Sequence, residues 1–61
     1  MENKLKAIFA IGVIACNMGD KKTAKDALSD IITLVRGTSY QDVGMGMYDA
    51  LAERVHLSGL I

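Results

Sequence analysis

The side chains best equipped for chemistry in this 61-residue sequence are His56, Cys16 and the lysines Lys21, Lys22 and Lys25. Nucleophilic catalysis needs a nucleophile, a base and an orienting acid in mutual reach. His56 is the sole histidine, and no serine or cysteine sits in a recognisable catalytic motif. The neighbours of Cys16 are apolar, surroundings that do not activate a thiol, so Cys16 reads as core. One histidine and one cysteine cannot complete a structural zinc tetrahedron. No glycine-rich loop follows a strand pattern, so the phosphate-loop and dinucleotide fingerprints are absent. The expectation is a protein that is not an enzyme and carries no metal or cofactor.

Weaker binding chemistry remains. Lys21, Lys22 and Lys25 cluster where a helix is expected to start, and free amides at a positive helix end can hold an anion or an acidic partner. A solvated basic turn beside Asp20 and Asp26 accounts for the same residues. His56, with Glu53 and Asp49 nearby, could make a pH-sensitive contact; a histidine resting on a helix C-terminus is the simpler account. Met45 and Met47 lie among glycines, and flexible thioethers suit adaptable binding surfaces. Met45 and Tyr48 are therefore candidates for a partner surface, with Met47 as core.

The elements that must position these groups are helices. There is no proline, and helical spacing of apolar residues runs through the chain. The first helix is expected over about 2–18, with Leu5, Ile8, Ile11 or Gly12, Ala15 and Met18 on one side. Phe9, Val13 and Cys16 lie on an adjacent side, making its middle apolar nearly all round. Gly19-Asp20 supplies a left-handed stop and then an N-cap. So short a link makes the first two helices an antiparallel hairpin. The second helix, about 21–36, carries the stripe Ala24, Ala27, Leu28, Ile31, Leu34 and Val35, with Ile32 beside it. Gly37 ends it, and Thr38-Ser39, with Asp42 beyond, offers a new cap. A third helix, about 40–56, repeats Val43, Met47, Leu51 and Val55. Gly44 and Gly46 weaken its start, and an extended or kinked segment over 43–47 is an alternative.

Size and charge limit what such a domain does. The fold class is all-α, a single small helical domain over 1–61. A lone domain this short buries only about 60% of the surface its unfolded chain exposes. Without a disulfide or metal, association is the remaining source of stability, and the 51% hydrophobic composition agrees. An obligate oligomer is expected, a homodimer or higher. Its seam is expected on the first helix: Ile8, Phe9, Ile11, Gly12, Ala15 and Cys16. Gly12 costs up to ~1 kcal/mol in a helix relative to Ala, which close approach of a neighbouring helix would offset. The terminal Leu60-Ile61 pair would dock on a partner. Seven Lys and Arg balance seven Asp and Glu, which argues against nucleic acid as a partner. A helix-turn-helix regulator built from the second and third helices is an alternative. Its reading helix, however, has no Lys or Arg before Arg54.

Lys4 and Lys6 precede the apolar run Ala7–Cys16, too short to span a bilayer as a helix. The tetrapeptide Val13-Ile14-Ala15-Cys16 loosely resembles a bacterial lipid-attachment box, so a small lipoprotein anchored through Cys16 is a second alternative. Glu2 dilutes the basic start that such a signal needs. A cytoplasmic protein, in a bacterial cell or host, fits one unpaired cysteine best.

Two resemblances add to this reading. Ile14-Ala15 to Gly19-Asp20, then Lys22 to Ala27-Leu28, has the cadence of tetratricopeptide hairpins, without that family's aromatic and proline pattern or its repeat period. The same stretch, with the run Lys25-Asp26-Ala27-Leu28, resembles the Kil peptides of lambdoid phages, small inhibitors of bacterial cell division. That resemblance covers roughly 15 residues, and the region from Ser39 onward has no counterpart in it. It implies a phage or mobile-element product that binds and blocks a host protein, for that family the tubulin-like division protein. The leading expectation is a small non-enzymatic protein-interaction module of that kind.

Overall fold

The computed structural model describes residues 1–59, and Leu60 and Ile61, expected to dock on a partner, lie outside them. The fold is three helices: α1 (Glu2–Met18), α2 (Lys21–Val35) and α3 (Gln41–Leu57). Each packs on both others in a bundle of 32 × 16 × 13 Å. The all-α architecture and the α1–α2 hairpin are those the sequence predicts. Segment 43–47 is helical, so the extended alternative does not hold.

The α1–α2 corner forms as its residue types dictate. Gly19 adopts φ 73°, and its N–H donates to Cys16 O at 3.2 Å while that of Asp20 donates to Ala15 O at 2.8 Å. This paired closure satisfies carbonyls that the helix end would otherwise leave free. Asp20 then caps α2, its carboxylate accepting from both Thr23 N (3.1 Å) and Thr23 Oγ1 (2.7 Å).

The α2–α3 corner differs from expectation. Helix α2 stops at Val35, and Gly37 takes φ 73°. Thr38 does not cap α3. Its hydroxyl donates to Val35 O at 2.7 Å and accepts from Tyr40 N at 3.1 Å, tying the corner to the end of α2. Gln41 Oε1 accepts from Gly37 N at 3.3 Å. Tyr40 stands at the N-cap without a side-chain bond, and Asp42 makes no capping box.

The core is apolar throughout the described residues, with no buried polar or charged side chain. Leu5, Ile31, Val35, Leu51 and Val55 are sealed completely, and Ala15, Cys16, Ala24, Ala27 and Leu28 complete the cluster. The predicted α2 stripe is this core, with Leu34 and Ile32 at its margins.

Two glycines set how closely the helices meet. A β-carbon on Gly12 would collide with Leu51 Cδ2, and would stand 3.0 Å from Leu51 Cδ1 and 3.1 Å from Ala27 Cβ. A β-carbon on Gly44 would stand 2.5 Å from Val35 Cγ2. Val43, which the four-residue repeat groups with the buried Leu51 and Val55, is exposed. A four-residue repeat advances about 40° per step around a helix, so Val43 lies far round from Val55. Gly44, one residue on, faces inward in its place.

Candidate functional site

The lysine cluster is not an empty anion cradle. The Asp20 carboxylate already accepts from one amide of α2's first turn, Thr23 N, and from the Thr23 hydroxyl. Its pKa lies below the usual value because Thr23 donates to it from side chain and backbone, and the Lys22 charge adds to this. Lys22 pairs with Asp26 at 3.1 Å, and Lys21 and Lys25 project into solvent. The helix end thus carries its own anion, a sufficient reason for lysines there.

The other chemical candidates stay apart. His56, Glu53 and Asp49 are all exposed, and no ion pair joins them among the described residues. Cys16 is a free thiol buried in the core cluster. It borders a shallow groove of about 480 Å³ between the end of α1 and the second half of α3, flanked by Asn17, Glu53, Arg54 and Leu57. A smaller recess lies between α1 and α2 at Lys4, Ile8 and Asp30. Met45 sits over the α2–α3 junction beside Ile32, Arg36 and Gln41, while Tyr48 is half-buried against the core. The two residues expected to share a partner surface lie one turn apart on α3, Met45 exposed and Tyr48 half-buried. On α3 the exposed Asp42 and Asp49 lie two turns apart, and no Lys or Arg precedes Arg54, where a DNA-reading helix places basic groups.

The six residues assigned to an α1 seam divide in the folded chain. Gly12, Ala15 and Cys16 are covered by the protein's own helices, and Ile8 and Phe9 are half-covered. The crowded neighbour that Gly12 requires is Leu51 of the same chain. A second copy is not needed to bury this side of α1, because its small residues let α2 and α3 come close enough. Of the six, only Ile11 is largely exposed, at 51%.

No family model, curated protein or solved structure matches this chain.

What the fold assembles is an apolar face on α1 and, on α3, a spaced row of apolar residues with Arg54 among them. On α1, Ala7, Ile11, Ile14 and Met18 recur at alternating spacings of four and three and lie exposed together, Ile14 at 56% and Met18 at 77%. From Ala7 through Gly19 the sequence has no charged residue, so nothing charged interrupts this face. On α3, Val43, Ala50 and Leu57 recur every seven residues and are likewise exposed. Ile14, Met18 and Leu57 were missed as surface residues in the sequence. Heptad register places 7, 11, 14 and 18 on a different side of α1 from 5, 12 and 16, but both sides are apolar, so the register alone does not say which of them is core. No helix among the described residues is long and apolar enough to cross a membrane.

Proposed function

We propose that the chain is a non-enzymatic protein-interaction module that associates with itself and blocks a host protein by covering its surface. The observation supporting this is the alignment of the exposed Ile11, Ile14 and Met18 in one uncharged stripe along α1. Scattered surface hydrophobics are ordinary, whereas contiguous apolar faces mark interaction sites. The resemblance of the Ile14–Leu28 stretch to Kil peptides supplies the class of partner, a bacterial host protein such as the tubulin-like division protein. In this reading α3 offers Val43, Ala50 and Leu57 to that protein, with Met45 an adaptable contact at the edge.

The lipoprotein alternative fares poorly on the geometry. Lipid attachment at Cys16 would remove residues 1–15, and with them Leu5, Gly12 and Ala15 from the core. The test of the proposed function is induced expression in bacteria with cell length and viability recorded. Elongated, non-dividing cells are expected, with normal division restored by joint Val43→Asp and Leu57→Asp changes at exposed positions. Normal division in cells that accumulate the folded wild-type protein overturns the inhibitor reading.

A further inference from the structure

We draw no further inference here: the strongest candidate, the uncharged apolar stripe of Ala7, Ile11, Ile14 and Met18 along α1, carries none, because nothing in the structure shows what covers it.

Discussion

Val35 of α2 stands against the bare backbone of Gly44 in α3, so close that a β-carbon on Gly44 would lie 2.5, 2.6 and 2.9 Å from Val35 Cγ2, Cγ1 and Cβ. The obstacle is not a movable tip. Val35 is β-branched and completely buried, and its Cβ is tied to the α2 backbone. The two helices meet at van der Waals distance because residue 44 has no side chain.

Gly44→Ala and Gly46→Ala should therefore have opposite signs, although both replace a helical glycine two residues apart. Gly46 has open space where a β-carbon would go, and Ala there should stabilise by about 0.5–1 kcal/mol through helix propensity. Gly44→Ala gains the same propensity but forces α2 and α3 apart. Overpacking costs of about 1–3 kcal/mol should leave it net destabilised. Thermal or urea unfolding of the two variants checks this, and Val35→Ala with Gly44→Ala should cost less than the two changes summed.

At the crossing of all three helices, Gly12→Val should be worse than Gly12→Ala. The added methyl of Ala meets Leu51, whose tip can shift slightly, and Ala27 Cβ, which cannot. The further carbons of Val have no space, and strain of roughly 3 kcal/mol or more should leave little folded protein. The fraction folded by circular dichroism, compared across the two variants, reads this ordering.

Ile31→Asp should abolish the fold. Ile31 is fully sealed at the centre of the α2 stripe, and no cation or donor is buried nearby to receive a carboxylate. Loss of the helical signal in near-neutral buffer is expected, whereas Ser29→Asp on the exposed side of the same helix should leave it intact.

The Asp20 cap carries a pH signature. Its pKa in the folded chain lies below the ordinary value of 3.8, chiefly because the Thr23 hydroxyl and amide donate to the charged form. A carboxylate with a depressed folded pKa stabilises fully above its unfolded pKa, and that contribution is lost as pH falls through the folded one. The wild-type melting temperature should therefore drop further below pH ~3.8 than that of Asp20→Ala, which starts lower at neutral pH. Parallel curves for the two proteins across that window would show that the cap does not titrate as described.

Much of this architecture is written in the local sequence. Gly19-Asp20 closes one helix and opens the next because only their backbone and side-chain groups meet the needs of a helix end, a matter settled within five residues. The α2 stripe is legible for a similar reason: strong periodicity on an otherwise charged helix leaves one way to face it. On α1 that contrast is missing. Leu5, Gly12, Ile11 and Ile14 are all apolar, and periodicity cannot rank one apolar face above another. Sequence alone thus placed Gly12 and Cys16 at an outer seam. Packing decided otherwise, because the small residues of α1 admit Leu51 and Ala27, while the bulkier Ile11, Ile14 and Met18 cannot fit so close a crossing and are left on the surface. In the same way only the approach of Val35 turned Gly44 inward and Val43 out, since steric fit between helices depends on two chain segments at once.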